Sequence, residues 1–381
     1  ETDQDILDIL KESQSIILLN ATDALQRMEA VNYLTSSSKR HIRELLAAKL
    51  KKNDFGEYLE DSVEVRSAID DAIAKIDRKL ILIDYLGRLF SGLSLGSILL
   101  LVAMGLAITY GLLGVINLAH GEMLMIGAYA TYVTQQLFTS FLPNFFDLYI
   151  LAAIPVAFLS AAVIGVLLER TVIRWLYGRP LETLLATWGI SLFLIQSVRQ
   201  IFGAQNVEVS NPNWLSGGVE LWNVVMPFNR IAIIIFAVFV LGGIWLVISQ
   251  TRLGLFIRSV TQNRSMASCV GVNTAKIDML AFGLGSGIAG LAGVALSQIG
   301  NVGPDLGQAY IIDSFMVVVL GGVGQLAGTV YAALGLGGFS KLIEPSVGAV
   351  LAKIIILVFI IAVIQKRPQG LFALKGRFVE D

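Results

Sequence analysis

The chain has few of the side chains that build covalent or metal-bound sites. Its one cysteine, Cys269, can form neither an intrachain disulfide nor a cysteine metal cluster. Its two histidines are His41 and His120, and the HGE sequence at 120–122 is not the HExxH of zinc peptidases. No GxxxxGKS/T sequence is present, so the chain has no phosphate-binding loop of its own. We therefore expect no catalytic residue, no metal site and no cofactor in this chain.

Charge is also scarce, and it is unevenly placed. Charged residues make up 15% of the chain and apolar residues 55%, which is too apolar for a soluble globular protein. The formal net charge of -1 argues against nucleic acid as a partner. Residues 1–90 hold 13 basic and 17 acidic side chains, whereas residues 91–381 hold 15 and 12. This difference predicts a soluble head at 1–90 and, at 91–381, a transmembrane domain in a lipid bilayer.

The head is predicted to be helical. Apolar residues recur at helical spacing within 23–34 and 63–80, and Ser62 stands where it can cap the second of these helices. A helix with its basic residues near the C-terminal end is predicted over 41–52. Short amphipathic helices with small residues are typical of helical repeats, and a small bundle that packs only on itself explains the pattern equally well.

Hydrophobic runs that can cross a bilayer core of ~30 Å recur through the second region. They lie at 92–113, 122–138, 149–168, 183–202, 230–249, 277–299, 311–343 and 347–364. The pattern predicts an all-α, polytopic membrane helix bundle with about eight spans. The run at 311–343 is too long for one span and barely long enough for two. The glycines Gly283, Gly287 and Gly290 have the spacing of tightly packed membrane helices.

The positions of arginine and lysine predict the orientation of these spans. Loop 169–181, loop 250–276 and the tail after 364 hold eleven basic residues, whereas Arg230 and Lys341 and little else lie in the other loops. The first group is therefore expected to be cytoplasmic, with the C-terminus, and the head is expected to be periplasmic in a bacterium. The chain begins at Glu1 rather than Met; a removed signal peptide agrees with this orientation, and a trimmed chain would look the same.

Two glycine-rich segments interrupt apolar runs near the two ends of the membrane domain. They are GVINLAHGE at 114–122 and GGVGQLAG at 321–328. Broken or re-entrant helices at matching positions point to a substrate site, because irregular backbone at membrane depth must be buried in protein or line a cavity. The residues expected along the substrate path are Asn117, His120, Glu122, Gly321, Gly322 and Gln325.

The polar residues of the first segment allow two interpretations. A charged carboxylate in hydrocarbon is costly, so Glu122 is expected to be protonated, paired or hydrated. In the first interpretation Asn117, His120 or Glu122 lines the path or holds the broken helix in shape. In the second, these side chains satisfy backbone groups that the break leaves free.

If transport is driven by ATP, the ATPase must be a separate polypeptide, and the long basic loop at 251–278 is its predicted docking place. Residues 264–270 are a short helix candidate, with Gly271 as its end. A short exposed helix can sit in a groove on a partner, whereas an ordinary basic loop would also obey the positive-inside rule. The residues expected to couple to the ATPase are Arg264, Ser265, Met266, Ala267, Gly271 and Asn273.

Three stretches resemble the membrane permeases of branched-chain amino-acid ABC importers, over roughly 92–375. In GLSLGSILLLVAMGLAITYGLLGVINLAHGEMLMIGAY, residues 117–122 match the family's Asn-x-Ala-His-Gly-Glu sequence. MASCVGVNT at 266–274 is similar to the family's cytoplasmic coupling segment, although the widely shared importer motif begins Glu-Ala-Ala where this chain has Ser-Met-Ala. VVLGGVGQLAG at 318–328 is similar to the family's second glycine-rich segment.

Within that family the chain resembles the urea importer branch, in its helical extension, in 181–212 and in NWLSGG at 213–218. The resemblance implies an inner-membrane permease subunit that forms half of a translocation path for urea and is not an enzyme. Its implied partners are ABC ATPase subunits that hydrolyse ATP, a second homologous membrane permease subunit and a periplasmic substrate-binding protein. Two alternatives stay open: an importer permease for branched-chain amino acids, and a passive channel or secondary transporter for a small polar solute.

Overall fold

A computed structural model of the chain describes residues 2–52, 58–114, 117–221, 224–367 and 370–372. The chain divides into two compact units. One unit contains Glu1–Arg88 with Glu220–Val225, and the other contains Leu89–Val219 with Met226–Asp381. We call them the head and the membrane domain.

The head is built from helices packed around aliphatic side chains. They are α1 (Thr2–Leu18), α2 (Ala24–Leu34), α3 (Arg40–Lys49) and the first part of α4 (Val63–Leu113). The side chain of Asp23 caps α2 at the backbone N–H of Leu25, and Ser62 Oγ accepts from the backbone N–H of Val65 at 3.4 Å. The buried core consists of Leu19, Ala30, Val31, Leu34, Ile42, Leu46, Val65, Ile69, Ala72 and Ile76.

The membrane domain is a helix bundle. Its helices are the second part of α4, α5 (His120–Phe141), α6 (Tyr149–Thr171), α7 (Pro180–Phe202), α8 (Phe228–Gln250), α9 (Arg252–Gln262), α10 (Arg264–Cys269), α11 (Thr274–Ser297), α12 (Leu306–Gly321), α13 (Leu326–Val347) and α14 (Ala349–Lys366). Short 3-10 turns lie at 143–148, 173–175 and 213–215. A two-stranded sheet pairs β1 (Gly218–Leu221) with β2 (Val224–Pro227).

Seven of the described helices are long and apolar enough to cross a membrane, which confirms a polytopic all-α bundle. They are α4, α6, α7, α8, α11, α13 and α14. Helix α5 has 22 residues but carries many Thr, Tyr and Gln side chains, and α12 has 16 residues. The long run at 311–343 forms two helices, α12 and α13. These helices begin before residue 311 and end after residue 343, which gives each of them more residues than the run alone provides.

Two details differ from the sequence prediction. Residues 63–113 form one helix of 51 residues, where the sequence predicted a head helix and a separate span. The residues between them contain no proline, and the change in composition near residue 90 does not interrupt the backbone hydrogen bonds. Helix α9 was not predicted, whereas the helix predicted at 264–270 is present as α10.

Small residues bring the helices of the membrane domain into close contact. A Cβ atom at Gly287 would lie 2.5 Å from the ring of Phe158, and one at Gly290 would lie 2.6 Å from the carbonyl oxygen of Ala157, so α11 lies directly against α6. Helix α5 reaches the same region, where Gly127 lies against the backbone of Gly290. The tight packing predicted for the glycines of α11 is thus confirmed.

Glycines of α4 have the same role. A Cβ at Gly92 would lie 2.7 Å from the Cα of Gly338, and one at Gly96 would lie 2.9 Å from the carbonyl oxygen of Ala333. Together with Ser94 these glycines spell a GxSxG pattern, which in hydrolases marks a strand-to-helix turn with an exposed serine. Here the pattern lies inside a helix and its serine is buried, so it is a packing surface.

Candidate functional site

In the first broken segment the chain turns back along α4 before α5 begins. His120 Nε2 lies 3.2 Å from the carbonyl oxygen of Val102, which precedes the end of α4 at Leu113 by eleven residues. At ~1.5 Å per residue, the start of α5 therefore lies ~16 Å back along α4. Val115 and Ile116 lie outside the described residues.

Helix α7 holds this segment in place. The backbone N–H of Leu118 donates to Thr187 Oγ1 at 3.2 Å, and Ser191 Oγ donates to Glu122 Oε1 at 2.8 Å. Both hydroxyl residues lie near the middle of α7, a 23-residue helix. The break in the chain is therefore level with the centre of a membrane-spanning helix.

The three predicted polar residues are almost completely covered by this chain. Asn117, His120 and Glu122 are 2%, 0% and 1% exposed. Asn117 Oδ1 accepts from the backbone N–H of Ala119 at 3.0 Å, which is the backbone-satisfying role of the second interpretation. Each residue also keeps one buried polar atom without a hydrogen bond to any described residue, namely Asn117 Nδ2, His120 Nδ1 and Glu122 Oε2. Those atoms are able to bind a substrate, so the first interpretation also agrees with the structure.

Glycines keep the neighbours of Glu122 close. A Cβ at Gly307, near the start of α12, would lie 2.8 Å from Glu122 Oε2, and Gly121 lies against the backbone of the same glycine. The carboxylate is therefore enclosed by α5, α7 and α12. A side chain at residue 307 would displace it.

The hydroxyl groups of α7 were not among the residues predicted from the sequence. Thr183, Thr187 and Ser191 are buried and follow one another at four-residue spacing, which places them on one face of the helix. That spacing within an otherwise apolar helix is the sequence signal that could have identified them. What they contact could not be deduced, since Ser191 and Glu122 are 69 residues apart.

The second broken segment lies at a different level along α4. Helix α12 ends at Gly321, and Gly322 and Gly324 have positive φ angles of 98° and 78°. A Cβ at Gly111, in the last turn of α4, would lie 2.8 Å from the Cα of Gly324. The half-buried Gln325 precedes α13, and its carbonyl oxygen accepts from Thr329 Oγ1. The structure brings both segments to α4, but it does not bring Gln325 into hydrogen-bonding contact with the described part of the first segment.

The predicted coupling residues form one compact unit. Asn263 Oδ1 accepts from the backbone N–H of Met266 at the start of α10, and Gly271, with φ 90°, follows its end. Asn273 Oδ1 caps α11 by accepting from Lys276 at 3.1 Å. Of the other predicted residues, Arg264 pairs with Asp278, Ser265 is exposed and Ala267 is buried.

Two apolar side chains at α10 are exposed. The Met266 side chain is 61% exposed, and that of Val270, directly after the helix, is 72% exposed.

The residues that the structure describes contain no group of three or more His, Cys, Asp or Glu side chains placed to hold a metal ion. The membrane domain therefore has two candidate sites. One is the set of buried hydrogen-bonding groups level with the middle of α7, and the other is the short exposed helix α10.

Comparison with known proteins identifies what the membrane domain is similar to. The family model described as "Branched-chain amino acid transport system / permease component" matches residues 88–364. The high-affinity branched-chain amino acid transport system permease protein BraD of Pseudomonas aeruginosa is 31% identical over 294 residues, which are 75% of this chain and 95% of that protein. The LivH permease proteins of Salmonella typhimurium and Escherichia coli, named for the same transport system, are each 28% identical over 292 residues, with the same coverage. No solved structure matches the chain.

Proposed function

The chain belongs to the permease family of branched-chain amino acid transport systems, and on that premise we propose that it is the permease subunit of an ATP-driven importer for branched-chain amino acids. The observation that carries the proposal is the extent of the similarity. The family match covers most of the chain, and BraD is aligned over 95% of its own length. Its relatives are named as permease proteins, so ATP hydrolysis is assigned to a separate subunit.

The proposed ATPase contact is α10. Met266 in α10 and Val270 directly after it are exposed and lie four residues apart, on one face of the helix, and Gly271 follows them with a positive φ angle. Apolar side chains that are exposed side by side on a short helix give a partner a surface to bind. Two ATPase subunits would then bind α10 of this chain and the equivalent helix of a second, homologous permease subunit.

The proposed orientation follows from the positive-inside rule. Nine of the eleven basic residues that are expected in the cytoplasm are described: they lie at the end of α6, between α6 and α7, from α9 to the start of α11, and at the end of α14. Lys375 and Arg377 lie outside the described residues. The head would then be periplasmic, on the side from which a substrate-binding protein delivers cargo to the inner membrane.

The cargo proposal differs from the urea prediction of the sequence analysis. The names of the relatives above refer to branched-chain amino acids and give urea no support. A zwitterionic cargo needs a hydrogen-bond acceptor for its ammonium group and a donor for its carboxylate. Glu122 Oε2 and Asn117 Nδ2 are an acceptor and a donor without hydrogen bonds to the described residues, and separation of the helices that cover them would expose both.

Urea is the second candidate cargo, and one observation favours it. Residues 1–87 lie outside the family match, so the head is an addition to the part that this chain shares with the family. A helical extension of this kind was the first feature in which the sequence resembled the urea branch. The two cargoes have different chemistry, and one experiment separates them.

That experiment is uptake of radiolabelled leucine and radiolabelled urea by cells that carry the whole transporter, with and without this chain. We expect leucine uptake that requires the chain and is suppressed by excess valine but not by excess urea. Urea uptake that requires the chain, together with leucine uptake that does not, would replace the first cargo by the second. A Gly271→Val variant, strained because valine disfavours φ 90°, should remain in the membrane and lose uptake of either cargo.

A further inference from the structure

Two buried acidic side chains lie at the α10 end of the membrane domain. Asp278 is in the first turns of α11 and is 0% exposed, and Glu169 is in the last turn of α6 and is also buried. A buried carboxylate requires a charge partner or hydrogen-bond donors. The groups that supply them determine which elements are tied together at this end.

Arg264, the first residue of α10, supplies the charge. Its guanidinium pairs with the Asp278 carboxylate through both terminal nitrogens and lies over the ring of Tyr177, 4.9 Å from the ring centroid. A planar guanidinium can form a forked ion pair and stack on an aromatic ring at the same time. The Arg264 side chain is 43% exposed, so part of it is enclosed by its own chain.

Tyr177 continues the chain of contacts to α6. Its hydroxyl donates to Glu169 Oε1 at 3.0 Å. Burial raises the pKa of the Tyr177 hydroxyl far above its usual range, so the hydroxyl keeps the proton that it donates. Arg264 is thereby linked directly to α11 and, through Tyr177, to α6.

Helices α6 and α11 are closely packed along their length. Gly165 of α6 lies against Ser286 of α11, and Gly287 and Gly290 of α11 lie against Phe158 and Ala157 of α6. Interfaces of this type cannot slide without clashes, so the two helices move as one body. The pair also touches α5, through the contact of Gly127 with Gly290.

We propose that Arg264 is a positioning residue that converts a displacement of α10 into a joint displacement of α6 and α11, and through them of α5 with the broken segment at its start. The inference rests on the proposed function, in which an ATPase binds α10. It assigns Arg264 to contacts within this chain, whereas the ATPase contact is assigned to Met266 and Val270.

The test is the number of cargo molecules transported per ATP hydrolysed by the assembled transporter in liposomes. For Arg264→Ala we expect this ratio to fall by about tenfold or more, within the usual range of coupling between two sites, while ATP hydrolysis persists. The cargo concentration at half-maximal uptake should stay close to that of the unaltered chain. Arg258→Ala, at an exposed position of α9 in the same loop, is the matched control and should keep the normal ratio.

A double variant keeps the test decisive if Arg264→Ala does not assemble. Combining Arg264→Asp with Asp278→Arg restores an ion pair with its charges exchanged, and we expect it to recover part of the ratio that Arg264→Asp alone loses. Tyr177→Phe keeps the ring but removes the bond to Glu169, and should give an intermediate ratio.

Three results would overturn the inference: an unchanged ratio in Arg264→Ala, loss of ATPase binding in that variant, or a double variant that assembles and stays as uncoupled as Arg264→Asp. Absence of ATP-dependent uptake with the unaltered chain would instead overturn the proposed function.

Discussion

The head and the membrane domain are both helical and both bury aliphatic side chains, but their closest helix-to-helix contacts differ. The head has a core of fully buried leucine, isoleucine and valine. In the membrane domain many of the closest contacts are made at glycines, such as Gly127 on Gly290 and Gly92 on Gly338. The same secondary structure is therefore stabilised in two ways.

The difference follows from the solvent around each part. In water, burial of apolar area is the main favourable contribution to folding. In lipid, an apolar side chain gains little from contact with another, so helices gain by close approach at small residues. We therefore expect smaller side chains in its core to damage the head, and larger side chains at the glycine contacts to damage the membrane domain.

The largest effect should come from enlarging Gly127. Leucine at this position would overlap the backbone of Gly290, and since overpacking already costs about 1–3 kcal/mol in ordinary cores, we expect loss of the folded membrane domain. Size-exclusion chromatography of the detergent-extracted chain measures it. Gly243→Leu is the matched control, because nothing lies within 4 Å of a Cβ at Gly243 in α8. A folded Gly127→Leu chain would refute the packing argument.

The next effect should come from shrinking Leu34 in the head core. Leu34→Ala should lower the free energy of unfolding of the head by about 2–5 kcal/mol, because a fully buried leucine leaves a cavity. Hydrogen exchange of head amides in the full-length chain measures it. Leu25→Ala in the same helix is the control, since Leu25 is exposed. Equal effects from the two variants would show that the head has no organised core.

A smaller effect is expected from the ion pair of the head. Glu60 is buried and lies 2.7 Å from Arg27, and this hydrogen bond raises the pKa of the Arg27 guanidinium. Glu60→Gln should cost about 1.5–3 kcal/mol, as expected for a hydrogen bond to a charged group. The same exchange measurement applies, with exposed Glu29→Gln as control. A change within error of the control would assign the head's stability to its apolar core alone.

The smallest effect should come from Ser191 in the membrane domain. Ser191→Ala removes the hydrogen bond to Glu122 but leaves that of Thr187 one turn away, so we expect a loss of about 1 kcal/mol. Thermal unfolding in detergent measures it, and Ser197→Ala on the exposed face of α7 is the control. Complete loss of the folded chain would mean that hydroxyl groups, rather than glycine contacts, hold the bundle together.

Local features were largely predictable from the sequence. The spacing of Gly283, Gly287 and Gly290 correctly predicted tight packing, and Gly271 correctly predicted the end of α10. Such features depend on neighbours along the chain or on one helix face. The continuous helix α4 was missed because the composition changes near residue 90 while the helical backbone does not.

Contacts between distant parts of the sequence were not predictable. Thr187 and Ser191 contact the broken segment from 69 residues away, and the link from Arg264 through Tyr177 to Glu169 joins three separate elements. Helical periodicity gives the face on which a residue lies, but not the helix that this face meets. The placement of Glu122 between α7 and α12 therefore required the tertiary structure.

The most direct test of ATP-driven import is uptake of labelled leucine into liposomes that contain this chain and the proposed second permease subunit, with and without the proposed ATPase subunits and ATP. We expect uptake that requires both the ATPase and ATP hydrolysis. Equal uptake without the ATPase would contradict ATP-driven import and would identify the chain as a passive channel or a secondary transporter.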